Sequence, residues 1–255
     1  MNIDKIYVIN LKKREDRLLK IDKLFKKIGG IFPNYVKVEA VDGNTLSIQD
    51  NNNLTLKSKY LYENPTLFMD IKSKGALGCY LSHLKIWEDA IKNNYNNIII
   101  FEDDVQTDLT LDEIMKYINS VPNDYDIAYL DYLCLDCTNN IYVNNYWNEN
   151  KLDSITQTSA YMLSKKGIQK LLKNVYVIEM QIDYYLSTYA IINKDFKRCL
   201  ANKKIFYQGL TGLLGFDTDI TNLNCIKCIF NEFIVTETFY KITVILIILF
   251  LLVRK

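Results

Sequence analysis

Residues Ile98-Ile99-Ile100-Phe101 form an unbroken apolar run that passes directly into Glu102-Asp103-Asp104. Apolar residues without polar alternation predict a strand buried on both faces, as in a parallel sheet covered by helices. Asn96-Asn97 turns the chain into it. Acids at the carboxyl end of such a strand stand where open α/β sheets bind their ligands. One segment therefore constrains both the architecture and the place to look for chemistry.

The rest of the chain alternates accordingly. Residues 3–11 read as a strand. Residues 14–28 read as an amphipathic helix with Leu18, Ile21, Phe25 and Ile28 on one face, stopped by Gly29-Gly30. A strand at 35–41, a polar irregular excursion at 47–73 and a helix at 76–94 follow. Thr110-Leu111-Asp112-Glu113 is a capping box opening a helix to Ser120. Strands are expected at 125–133, 142–146, 155–163 and 204–208, and helices at 164–173 and 181–191. This order predicts an α/β domain with a mainly parallel central sheet. With no internal repeat or linker, residues 1–238 read as one domain and 239–255 as an apolar tail.

Charge excludes one class of partner. The 255 residues carry 31 Lys+Arg against 30 Asp+Glu, so no basic excess exists to bind nucleic acid by bulk charge. The single histidine, His83, excludes a His-rich metal centre, and its neighbour Ser82 does not face it on a helix. Cys134/Cys137 and Cys225/Cys228 are two CxxC pairs, separated far beyond zinc-ribbon spacing, and are expected to be ordinary thiols. The first apolar stretch is too short for a signal peptide, so the expectation is a cytoplasmic chain with reduced cysteines. Residues 242–253 are apolar except Thr243, yet shorter than the roughly 20 residues that span a bilayer. A tail anchor, an interfacial segment and a packed helix are the three readings, with membrane association expected.

Clustered carboxylates repel unless a cation or hydrogen-bond donors neutralise them. Hard oxygens suit Mg²⁺ or Mn²⁺, which in turn hold phosphates, so Glu102-Asp103-Asp104 suggests a metal-bound diphosphate; a solvated acidic turn is the alternative. Asp183 has apolar and aromatic neighbours. It is either a desolvated general base or a first-turn acid stabilised by its helix dipole. A helix start with Arg14 and Arg17 can receive phosphate, or is simply a charged helix face.

Several spaced motifs together resemble glycosyltransferase family 25, the lipooligosaccharide and collagen-type galactosyltransferases. Residues 6–17 are similar to the family's opening strand and turn. Gly75-Ala76-Leu77-Gly78-Cys79-Tyr80-Leu81-Ser82-His83 resembles its G-x-x-G-C-x-x-S-H signature, and residues 98–105 its strand with the E-D-D motif. Residues 159–167, Ile182-Asp183-Tyr184-Tyr185-Leu186, Tyr207-Gln208 and Asp217-Thr218-Asp219-Ile220 resemble its later elements, with Thr218 where Ser is usual. The resemblance covers residues 3–220. The Asn-rich segment 134–152 and the tail fall outside what it explains.

The resemblance implies a GT-A-like fold and transfer of galactose or glucose from a UDP-sugar to a glycan, lipid-linked or protein acceptor, assisted by Mn²⁺ or Mg²⁺ and inverting. It implies Asn10, Leu11, Arg14 and Arg17 at the nucleotide, and Glu102 and Asp103 at the ribose or donor sugar. Ser82 and His83 would shape that site or pack beneath it. Asp104, with Glu102, is the expected metal ligand, Asp219 a second ligand or substrate contact, and Asp183 the base. Two other classes stay open: a metal-dependent nucleotidyl- or phosphotransferase using the same acids, and a non-catalytic sugar-nucleotide-binding protein. The sequence holds no GxxxxGK[ST], which disfavours a P-loop version of the former.

Overall fold

The computed structural model describes residues 1–208 except 66, 68, 135 and 136. Its centre is an eight-stranded sheet. The strands are β1 (Lys5–Asn10), β2 (Val36–Glu39), β3 (Asn97–Glu102), β5 (Ile127–Tyr129), β7 (Asn140–Tyr142), β8 (Trp147–Asn150), β10 (Ala160–Ser164) and β11 (Arg198–Ala201), in the order β2-β1-β3-β10-β5-β11-β8-β7. Two small ribbons flank it. One joins β4 (Val105–Gln106) to β12 (Tyr207–Gln208), and the other joins β6 (Leu133–Cys134) to β9 (Ile155–Thr156).

The α/β class holds, and the sheet is mixed. β2, β1 and β3 are mutually parallel, as is the β5–β11 pair. β10 runs antiparallel to both β3 and β5, and β8 runs antiparallel to β11 and β7. The apolar pattern signals burial on two faces and carries no direction, so the antiparallel pairings are not visible in it. In the structure the strand expected at 155–163 breaks into β9 and β10 at Gln157, whose φ is +79°.

Both sheet faces are covered. Tyr7, Ile98, Ile100, Tyr129, Tyr161 and Leu163 point into one core with residues of α3 (Lys74–Lys92), α5 (Lys165–Leu171) and α6 (Ile182–Ile192). Ile6, Val8, Ile99, Phe101, Ala128 and Met162 point into the other, against α1 (Glu15–Ile28) and α4 (Leu111–Ser120). Successive residues of β3 thus feed opposite cores, as the period of two requires. The capping box of α4 forms in full: Thr110 Oγ1 accepts from Glu113 N–H, and Glu113 Oε2 accepts from Thr110 N–H at 2.9 Å.

Three expectations are corrected. The excursion at 47–73 contains a helix, α2 (Leu56–Glu63), capped by the Thr55 hydroxyl. It escapes an apolar-periodicity reading because Leu56 and Tyr60 are exposed. The strand expected at 142–146 is mostly the turn between β7 and β8. Cys134 and Cys137 form a disulfide rather than standing as reduced thiols. Among the described residues no helix is long and apolar enough to cross a membrane. The expected tail at 239–255, Asp217, Asp219 and the Cys225/Cys228 pair lie outside the described residues.

Candidate functional site

Three neighbouring acids end β3, and each meets a different environment. Asp103 is held on both oxygens: Arg17 Nη1 donates to Oδ1 at 2.8 Å and Asn10 Nδ2 donates to Oδ2 at 2.7 Å. β1 ends in Asn10, and α1 carries Arg17 on its buried face, so the strand–turn–helix unit 5–28 clamps this carboxylate. Burial nevertheless lifts the Asp103 carboxyl above the usual range against the pull of Arg17 and Asn10.

Asp104 has weaker partners. Gln208 Nε2 lies 3.4 Å from its Oδ2 and Arg17 Nη1 lies 3.6 Å away, while Oδ1 is buried with no hydrogen-bond partner. Burial, followed by the charges of Glu102 and Asp103, pushes its carboxyl up to about 7. A buried, unmatched carboxylate oxygen beside a second carboxylate is what a hard divalent cation satisfies. Asp104 therefore fits an Mn²⁺ or Mg²⁺ ligand, with Glu102 next to it. Asp103 fits poorly, since Arg17 and Asn10 already occupy it.

Glu102 has a third set of partners. Its Oε1 accepts from Thr158 Oγ1 at 2.7 Å and faces His83 Nε2 at 3.4 Å. Burial raises this carboxyl, but His83, Thr158 and Arg17 outweigh it and the net direction is downward.

Helix α3 presents the Gly-rich signature to this cluster, and each small residue has a steric reason. A Cβ on Gly78 would stand 2.4 Å from the Val41 carbonyl oxygen, and one on Gly43 would stand 2.2 Å from that of Lys74. The loop after β2 therefore lies directly on the helix. Ser82 fastens the two: its Oγ accepts from Val41 N–H at 2.8 Å and donates to the Gly78 carbonyl at 2.6 Å. His83 is fully buried one residue on, its Nδ1 2.7 Å from the Tyr161 hydroxyl.

Asp183 sits in the first turn of α6 and is desolvated there. Its Oδ1 accepts from Tyr184 N–H at 2.8 Å and its Oδ2 from Gln157 N–H at 3.4 Å. Burial outweighs these bonds and raises its carboxyl, with Glu102 adding in the same direction.

Two cavities meet at this rim. The first, about 800 Å³, is lined by Leu11, Arg17, the backbone of 40–44, Ser82 and all three acids. The second, about 690 Å³, is lined by Thr156, Gln157, Thr158, Gln181 and Asp183. Cys79, Glu102 and Gln208 line both.

The structure thus gathers Asn10, Leu11, Arg17, Ser82, Glu102, Asp103 and Asp104 around the first cavity, with His83 packed beneath. Asp183 falls on the second. Arg14 reaches the cluster through its carbonyl, which accepts from Asn10 Nδ2 at 2.9 Å, while its guanidinium makes two 3.0 Å bonds to Asp16. Gln157, Thr158 and Asp131 went unread. Asp131 is fully buried and accepts from Ser159 Oγ at 2.6 Å and Gln157 Nε2 at 2.8 Å, which holds the segment entering β10 in place. The usable signal was the polar break Gln157-Thr158-Ser159 inside an otherwise strand-like stretch.

Residues 3–186 match the model of glycosyltransferase family 25, described as an LPS biosynthesis protein family. Human procollagen galactosyltransferase 2 is 28% identical over 176 residues, covering 67% of this chain and 28% of the human protein. A Drosophila melanogaster glycosyltransferase 25 family member is 29% identical over 175 residues, covering 68% of this chain and 28% of its own. A bovine protein named as a probable inactive glycosyltransferase 25 family member 3 is 27% identical over 176 residues, covering 68% of this chain and 29% of its own. The chain spans less than a third of the length of these relatives.

Proposed function

The chain belongs to glycosyltransferase family 25, and from that premise we propose that it transfers a hexose, galactose or glucose, from a UDP-sugar to a hydroxyl of a glycan, glycolipid or protein. The observation that carries the reading is the pair of cavities sharing Glu102 and Gln208, one lined by Asp104 and Arg17 and the other by Asp183.

The first cavity takes the donor. Leu11 and the backbone of 40–44 border the nucleotide, and Arg17, already ordered by Asp103, supplies a fixed positive charge near the diphosphate. Asp104 with Glu102 would hold Mn²⁺ or Mg²⁺, which neutralises the charge that develops on the departing diphosphate. The second cavity takes the acceptor. Asp183 removes the hydroxyl proton as the acceptor oxygen bonds to the anomeric carbon and the bond to the UDP oxygen breaks. Its raised proton affinity suits that task, and the Tyr184 and Gln157 amides fix its orientation. Attack from the acceptor side, opposite the diphosphate, inverts the anomeric configuration.

UDP release from a panel of UDP-sugars with Mn²⁺ tests this, beside Asp104→Ala. Release with one preferred sugar, abolished by the substitution and by EDTA, supports the transferase. Binding of UDP without turnover for any donor and acceptor would put a non-catalytic sugar-nucleotide-binding protein in its place.

A further inference from the structure

Two side chains at the shared rim, Cys79 and His83, are not used by the reaction above. Cys79 and His83 stand four residues apart on α3, on one helix face, and Glu102 closes the end of β3 opposite them. One ligand atom from each, the Cys79 sulfur, a His83 ring nitrogen and a Glu102 carboxylate oxygen, lie within 4.8 Å of one another.

We propose that Cys79, His83 and Glu102 form a zinc site with three protein ligands and a fourth position open to the cavities. Three observations carry it. First, His83 is fully buried and its Nε2 has no hydrogen-bond partner, although it points at Glu102 Oε1 3.4 Å away. A buried ring nitrogen without a partner is costly unless something binds it. Second, the other ring nitrogen has an orienting partner of the kind that metal-binding histidines use. Trp87 Nε1 donates to the Tyr161 hydroxyl at 3.1 Å, and that oxygen lies 2.7 Å from His83 Nδ1. In the tautomer that zinc would select, Nδ1–H donates to Tyr161 and the lone pair on Nε2 faces the cluster. Third, the donor set is selective. Thiolate with imidazole and one carboxylate is the borderline-soft combination that favours zinc over the hard ions suited to Asp104. Burial, followed by the negative charge of Glu102, Asp183 and Asp104, holds the Cys79 thiol protonated until a cation binds, so zinc would displace that proton. Because Cys79 and Glu102 line both cavities, the ion has a route in.

The site competes with the donor machinery for one residue. Glu102 is common to this site and to the hard cation proposed at Asp104, so loading of one is expected to alter the affinity of the other.

Cobalt(II) titration of the full chain is the test, in a background carrying Cys134→Ser, Cys137→Ser, Cys225→Ser and Cys228→Ser. The expected result is a thiolate-to-cobalt charge-transfer band saturating at one ion per chain and erased by zinc. Cys79→Ser, a one-atom change, should abolish it, and Asp104→Asn should keep it. Tyr161→Phe should weaken zinc binding about 10- to 100-fold, as loss of a group orienting a ligand does. Fluorescence of the buried Trp87 and Trp147 checks that each variant is folded. Absence of the band in the parent, or its persistence in Cys79→Ser, overturns the site. The readout involves no sugar, so it stands or falls apart from the transferase reading.

Discussion

Arg17 Nη1 lies 2.8 Å from Asp103 Oδ1 and 3.6 Å from Asp104 Oδ2, so one guanidinium on α1 serves two acids at the end of β3. Its side chain and that of Asp103 are about a tenth exposed. Removing the cation while leaving the acids strands buried charge, which costs about 3 kcal/mol or more. Arg17→Met should lower the urea midpoint accordingly, and Arg17→Met combined with Asp103→Leu should recover part of the loss. An unchanged midpoint in the single variant would show that the pair is hydrated and contributes little.

Asp104 dictates a pH signature. Burial and the neighbouring acids push its carboxyl up to about 7, whereas the unfolded chain releases that proton near 3.8. The folded chain therefore holds more protons across that window, and stability from this group is present at low pH and lost as pH rises through 7. Asp103 and Asp183 act in the same direction and Glu102 in the opposite one. Without divalent cations, Asp104→Asn should match the parent near pH 3 and exceed it near pH 8, by on the order of 1–3 kcal/mol. Paired denaturation curves at the two pH values read the difference directly.

Gly78 makes a steric prediction. An added methyl would meet the Val41 carbonyl at 2.4 Å, and backbone cannot move as cheaply as a side-chain tip. Gly78→Ala should cost about 1–3 kcal/mol and separate α3 from the 40–44 loop that lines the donor cavity. The thermal midpoint and UDP affinity should fall together. Ser82→Ala removes only the clasp between the same two elements and should show a smaller version of both effects.

Asp183 is tested through the split between binding and turnover. Asp183→Asn keeps an oxygen for the Tyr184 amide, gives up only the longer 3.4 Å bond from Gln157 N–H, and cannot take a proton. Transfer should fall by about 10²- to 10⁴-fold while UDP binding stays near the parent value. Equal loss of both would make Asp183 a structural anchor of α6.

What the sequence made legible follows from periodicity and local chemistry. The run 98–101 and its acids, the Thr110 capping box and the α1 face carrying Ile21 and Phe25 are local patterns, and they stand where expected. Direction of pairing is not local, so the antiparallel placement of β10 within a sheet expected to be mainly parallel was not legible. The helix α2 rests on its Thr55 cap and on Ser58, which donates to the Ile178 carbonyl at 2.9 Å, a bond to a residue far along the chain. In the site, acids were legible by type, but their different environments were not. Asp103 differs from Asp104 because Arg17 and Asn10 reach the former, a contact made only by folding.

The reversed direction of β10 has an evolutionary consequence. In an all-parallel sheet every loop at the ligand-binding end leaves a strand, and its length can drift without touching its neighbours. Here the segment through Gln157, Thr158 and Ser159 arrives at that end, and it meets β3 twice: Glu102 N–H donates to the Ser159 carbonyl at 2.8 Å, and Thr158 Oγ1 donates to Glu102 at 2.7 Å. An insertion or deletion between β9 and β10 shifts register at Glu102 itself. Substitution on this segment leaves the pairing with β3 in register, but changes of loop length there are heritable only when they leave this one glutamate in place.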